Sequence, residues 1–182
     1  NHGSKEGDLI YITKPIGIGV LATALKRQKI TDQDCLNLVD TACRLNSIGE
    51  VLGNHEEVHA MTDVTGFGLL GHLIEMAEGA KLSAQINLSQ IPLIEGIQEY
   101  INQFIFPDNT YRNWNAFNSK VTGINGMDLV KFCDPQTSGG LLISVSLENK
   151  EWFETTISKQ GQAIWEIGKF LPKGNFIVEV VS

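Results

Sequence analysis

Eleven consecutive residues, Thr62-Asp63-Val64-Thr65-Gly66-Phe67-Gly68-Leu69-Leu70-Gly71-His72, combine a carboxylate, two hydroxyls, three glycines and an apolar run. The pattern predicts a short strand over 58–62 that delivers Asp63, a Gly66-Phe67-Gly68 loop, and a helix over 69–78. Such a layout aims backbone N–H groups and the positive end of a helix at one point. Glycines let a bulky anion approach the backbone closely. Asp63 is a hard oxygen ligand of the type Mg2+ takes, together with phosphate oxygens. These parts suit a metal-bound polyphosphate, with Asp63 on the metal and Thr65, Gly66, Phe67 and Gly68 facing the phosphates. The same residues also read as a tight turn with an N-cap, Asp63 then capping a neighbour.

A second stretch, Asp134-Pro135-Gln136-Thr137-Ser138-Gly139-Gly140-Leu141-Leu142, sets an Asp-Pro turn before hydroxyls and an amide-lined nest. The other reading is a turn that aligns the following strand. A third, Thr13-Lys14-Pro15-Ile16-Gly17-Ile18-Gly19, puts a lysine near glycines but lacks the GxxxxGK[ST] spacing. Lys14 is expected to be solvated beside its proline turn. His55 and His59 share a helical spacing that could suit zinc, but no third ligand follows at an obvious distance. His72 reads as a packed or hydrogen-bonded histidine. Asn87-Leu88-Ser89 matches a glycosylation sequon, which has no meaning without a signal peptide.

These segments need elements to position them. Residues 9–13 read as a strand running into a turn at Lys14-Pro15, and 20–27 as a short helix. Thr31 and Asp34 form a capping-box pattern. Behind it Leu36, Val39, Ala42, Cys43, Leu45, Ile48 and Leu52 recur at helical spacing, predicting one long amphipathic helix to about Leu52. A strand over 82–88, a helix over 91–104 and a partly irregular loop over 107–125 follow. The C-terminal part reads as a strand over 141–146, a helix over 150–160, and strands over 163–171 and 176–181. Strands and helices mix without strict alternation, so the expected class is α+β.

The bulk properties bound the function. Hydrophobic residues make up 42% and charged residues 19% of 182, ordinary for a globular domain. A net charge of −7 argues against binding nucleic acid through its phosphates, which needs a basic face. The longest apolar run is interrupted by glycines and too short for a membrane span. Three cysteines, Cys35, Cys43 and Cys133, lack CxxC spacing and suit a reduced, cytoplasmic compartment. Cys35 and Cys43 are expected as buried small hydrophobes.

Taken together, residues 62–72 and 134–142 resemble the two signature stretches of the selenophosphate synthetase (selenide, water dikinase) family. Gly7-Asp8 followed by Thr13-Lys14-Pro15-Ile16-Gly17 resembles the start of that enzyme's C-terminal domain, and Tyr111-Arg112-Asn113 another piece of it. The likeness runs from about Gly7 to the end. It implies membership of the aminoimidazole ribonucleotide synthetase superfamily and a single C-terminal α+β domain over 1–182, with 1–6 as linker or cloning remnant.

The resemblance further implies an enzyme that turns ATP, selenide and water into selenophosphate, AMP and phosphate with Mg2+. Asp63 then matches the metal ligand that the C-terminal domain contributes. The family's catalytic cysteine or selenocysteine and its lysine lie in an N-terminal half that nothing here matches. Most ATP contacts and the homodimer surface are expected there too, so the isolated chain is expected to be inactive. Neither nucleic acid nor membrane is an expected partner. The rival expectations are another superfamily member, such as aminoimidazole ribonucleotide synthetase or thiamine-monophosphate kinase, and a non-catalytic regulatory or interaction module.

Overall fold

Strands β1 (Leu9–Ile12) and β5 (Leu141–Val145) are buried at every position, which requires cover on both faces of their sheet. In the computed structural model, which describes residues 2–182, that cover comes from two sides. On one face Ile10, Ile12 and Leu142 meet Leu69, Leu70, Leu73 and Met76 of helix α4 (Gly68–Ala80). On the other, Leu9, Tyr11 and Ile143 meet α3 (Ile48–Leu52) and α8 (Lys150–Lys159) through Leu52, Phe153 and Ile157. Each fully buried side chain of this kind stabilises by about 1.5–3 kcal/mol before entropy is counted.

Among the described residues the sheet has seven strands. Their order is β2 (Val58–Asp63), β5, β1, β6 (Trp165–Leu171), β3 (Ser83–Asn87), β7 (Val178–Val181), β4 (Val121–Thr122). Pairings from β2 through β3 are antiparallel, and β3–β7 and β7–β4 are parallel. The class is α+β, as the mixed pattern predicts. A separate apolar cluster lies beside the sheet. It joins Ile18, Val20 and Leu21 of α1 (Ile18–Lys26), Leu38 of α2 (Asp32–Cys43), and Ile97 and Ile101 of α5 (Ile97–Asn102). Val130 of α7 (Asp128–Cys133) closes it.

Several expected elements differ. The long helix to Leu52 is two helices, because Arg44 turns extended at φ −65°, ψ 125° and its carbonyl accepts from the Lys14 ammonium at 2.5 Å. Within α2 only Leu38 and Thr41 are buried; Leu36, Val39 and Leu45 are 64%, 53% and 77% exposed. The helical spacing was real but marked the wrong face. Cys43 is exposed and Cys35 half-buried, so of the three cysteines only Cys133 is a core residue. Residues 91–96 are not helical. Ile16 donates to the Pro92 carbonyl and Ile94 to the Ile16 carbonyl, holding that segment extended against the loop after β1.

The expected loop over 107–125 contains α6 (Asn109–Phe117) and β4. Its Asn-rich composition conceals a helix that packs Trp114 and Phe117 onto the main core. Helix α4 runs past Gly79, and Lys81 at φ 60° takes the left-handed terminal position instead. Among the described residues no helix is long and apolar enough to cross a membrane.

Candidate functional site

Strand β2 lies at the sheet edge and carries Asp63 at its last position, opposite Leu141. The Asp63 side chain is exposed and accepts no hydrogen bond from any described residue. It is therefore not the inward cap that the alternative reading of this stretch predicts.

Beyond Asp63 the chain is tied back. Val64 N–H donates to the Gly140 carbonyl at 2.8 Å, and Gln136 N–H to the Thr65 carbonyl at 3.0 Å. Asn113, 5% exposed, gives both amide protons to backbone, one to Gly66 O at 2.9 Å and one to Cys133 O at 3.0 Å. Asn109 adds a longer donor to Gly66 O at 3.3 Å. With its carbonyl held inward, Gly66 is itself exposed, and a Cβ there would meet open space. Among the described residues the N–H groups of Gly66 and Phe67 find no acceptor.

Gly68 behaves differently from the reading that placed it on a ligand. It is buried at φ 69°, its N–H donates to Thr65 O at 3.0 Å, and a Cβ would sit 2.7 Å from Phe132 O. Its glycine serves the close packing of α4 on α7. Phe67 is 57% exposed, with its ring 5.8 Å from His72 and 6.2 Å from Phe117.

His72 is 6% exposed and shares a 3.1 Å hydrogen bond between Nε2 and the Thr65 hydroxyl. This is the packed, hydrogen-bonded histidine expected. Burial lowers its pKa, while the nearby Glu75 and Asp63 carboxylates pull the other way. The ring is thus neutral at pH 7 and orients Thr65 without adding charge.

The second stretch meets the first across these hydrogen bonds, and the third meets the second. Asp134 is 1% exposed. Its Oδ2 accepts from Gly19 N–H at 3.0 Å and from Gln136 Nε2 at 2.8 Å. Gln136 Oε1 in turn accepts from Gly17 N–H and Ile18 N–H at 3.3 and 3.2 Å. Together they satisfy the orphan donors at the start of α1. Gly19 is required here, since a Cβ would lie 2.3 Å from Asp134 Oδ1. Burial pushes the Asp134 pKa up to about 7, against the bonds from Gln136, Val20 and Gly19.

Lys14 is 1% exposed, not solvated as its proline turn suggests. Its ammonium donates to Arg44 O and to Ser138 O at 2.7 Å, and burial, then the Arg44 charge, lowers its pKa. Thr13 Oγ1 accepts from Leu141 N–H at 2.8 Å. Sequence reasoning missed Asn113, Lys14 and Gln136 as positioning groups. Apart from the Gln136 bonds to Asp134 two residues away, their partners are backbone atoms far along the chain.

His55 and His59 part company: the His55 ring lies tilted with its centroid 4.7 Å from that of Trp152, whereas His59 Nδ1 lies 2.8 Å from Asp8 Oδ2. Among the described residues no three His, Cys, Asp or Glu side chains form a metal-binding group. Cavities of about 240 and 500 Å3 exist elsewhere, the first beside Ser83 and Thr122, the second beside Tyr11 and Glu166. Asp63 lines neither; Asp63, Gly66, Phe67, Thr137 and Ser138 are exposed, and the three segments form an open ledge at one end of the sheet. What the ledge offers is an exposed carboxylate beside unpaired amides, a donor set whose hard oxygen would suit a cation such as Mg2+.

Residues 5–181 match the family model of the AIR synthase related protein, C-terminal domain. The selenide, water dikinase of Pseudomonas putida KT2440 is 39% identical over 181 residues, covering 100% of this chain and 53% of that protein. That of Shewanella sp. MR-4 is 45% identical over 148 residues, covering 81% of this chain and 42% of the relative. The chain thus spans about half the length of the curated relatives it matches. Among solved structures, the E. coli hydrogenase maturation protein HypE superposes with a TM-score of 0.70 at 18% identity, covering 100% of this chain and 48% of that one. Thiamine-monophosphate kinase from Stenotrophomonas maltophilia gives 0.67 at 14%, covering 97% and 51%. At those identities the structures show the shared fold alone. The chain belongs to the AIR synthase related protein family as its C-terminal domain, and its relatives by sequence are selenide, water dikinases.

Proposed function

We propose that this chain is the C-terminal half of an ATP-dependent selenophosphate synthetase, which makes selenophosphate, AMP and phosphate from ATP, selenide and water. Identity to selenide, water dikinases along the whole chain supports the family's chemistry. The observation that carries the site is the exposed, unpartnered Asp63 carboxylate at the head of the 62–72 stretch. In this reading Asp63 holds one Mg2+, which when bound neutralises charge on the phosphates. The Gly66 and Phe67 N–H groups face the anion, Thr65 is oriented by His72, and Gly68 lets the loop close onto α7. Fixed donors of this kind act where charge accumulates, with no reorganisation at the moment of reaction.

One carboxylate on an open ledge does not hold a nucleotide. An N-terminal half supplies the remaining metal ligands, the catalytic cysteine or selenocysteine with its lysine, and the surface for a homodimer. The assembled enzyme works in the cytoplasm, with neither nucleic acid nor membrane as partner. Calorimetry with ATP and Mg2+ on this chain tests the division of labour, and weak or absent binding is expected. Micromolar affinity would overturn it. A selenide-dependent assay for AMP release by the two-half protein tests the reaction itself.

A further inference from the structure

The signature loop 134–140 does more than cap α1. At its tip Thr137 and Ser138 are exposed, and Ser138 is a non-glycine residue at φ 56°. Left-handed backbone is unfavourable for serine, so something must hold it there. Two side chains do so from behind. Lys14 Nζ donates to Ser138 O at 2.7 Å, and Asn46 Nδ2 donates to Gly139 O at 2.9 Å. In a trans peptide the N–H points opposite to the C=O. Pulling the Ser138 carbonyl toward Lys14 therefore turns the Gly139 N–H away from it. Among the described residues the N–H groups of Ser138 and Gly139 have no acceptor.

A second observation is independent of the loop's shape. Lys14 is 1% exposed, and its ammonium has no carboxylate partner among the described residues. Two carbonyls accept its protons, but they leave its charge uncompensated, and buried cations are ordinarily paired. The Asp134 carboxyl in the same loop is turned the other way, onto the amides of α1.

We propose that residues 137–139 form an oxyanion subsite for a phosphate-type group, bound by the Ser138 and Gly139 N–H groups and the Thr137 and Ser138 hydroxyls, with Lys14 as the buried counter-charge. The subsite adjoins the Asp63 loop, since Gly139 packs against the Val64 carbonyl. It does not depend on a metal at Asp63.

The test is a titration of this chain, 15N-labelled and in EDTA, with inorganic phosphate. Saturable shifts are expected at the Ser138 and Gly139 amides, persisting in Asp63→Asn and weakening at least tenfold in Lys14→Met. A parallel titration with a non-hydrolysable ATP analogue separates the sources: shifts with the nucleotide alone assign the subsite to its terminal phosphoryl group. Shifts with phosphate assign it to the free ion. Silence of both amides with both probes, at concentrations up to tens of millimolar, overturns the proposal. The unsubstituted titration decides alone if Lys14→Met does not fold. Because EDTA removes the metal, failure here leaves the Asp63 reading standing, and failure of Asp63→Asn to lower turnover leaves the subsite standing.

Discussion

Asp63 and Asp134 head two loops that meet at one end of the sheet, yet their carboxylates have opposite surroundings. Asp63 ends an edge strand and is exposed, without a hydrogen-bond donor among the described residues. Asp134 follows α7 and is enclosed, bonded to the first amides of α1 and to Gln136. Both belong to stretches that look like ligand loops, and both precede glycines. The difference shows that a carboxylate's role is set by which donors the fold delivers to it. A carboxylate enclosed among the chain's own donors fixes architecture, and an exposed one without them remains available to something outside.

The contrast can be broken in order of expected effect. In the two-half enzyme, Asp63→Asn should cut turnover by about 10²–10³-fold, the loss typical of one electrostatic stabiliser. Thermal unfolding should stay within about 0.5 kcal/mol of the parent, as for other exposed substitutions. A near-normal rate would remove Asp63 from the site. Asp134→Ala should do the reverse, costing about 2–3 kcal/mol in denaturant unfolding because it strips a buried helix cap and strands its donors.

The third prediction is a slope. With a folded-state pKa raised to about 7 from 3.8, Asp134 binds its proton more tightly in the folded chain than in the unfolded one. Its contribution to stability is therefore fullest below about pH 4 and is lost as pH rises through 7. Unfolding measured between those values should show a less negative slope in Asp134→Asn; an unchanged slope would mean that the carboxyl is not the titrating group. The smallest effect is expected at Gly66, where a Cβ meets open space: Gly66→Ala should shift unfolding by no more than about 0.5 kcal/mol. Gly139→Ala is its counterpart in the other loop. A Cβ there would lie 2.2 Å from Val64 O, so about 1–3 kcal/mol should be lost.

What the sequence disclosed follows from the range of the forces involved. The strand, glycine loop and helix around Asp63 are adjacent along the chain, so their pattern is local and readable. Lys14 is not readable in this way, because its burial depends on Arg44 and Ser138, which reach it only through the tertiary fold. The same contact ends α2, and so misled the expectation of one long helix. Leu36 and Val39 carry a helical period without a partner surface in this chain, which periodicity alone cannot reveal. Asn113 lies in a segment whose composition suggests a loop. Its two bonds to Gly66 and Cys133 make it a brace for the candidate site.

The position of β1 has a consequence for how the molecule is made. Ile12 sits in register with Leu142 on one side and with Trp165 on the other, so β1 finds both its neighbours only after the intervening helices and strands have been made. Pairings so distant in sequence form slowly, because a long loop must close before any contact rewards it. Until then an apolar strand stands with both edges open, a template for association with other nascent chains. The ledge that gathers residues from all three segments is for the same reason among the last features to assemble, since β5 is the strand that joins β1 to β2.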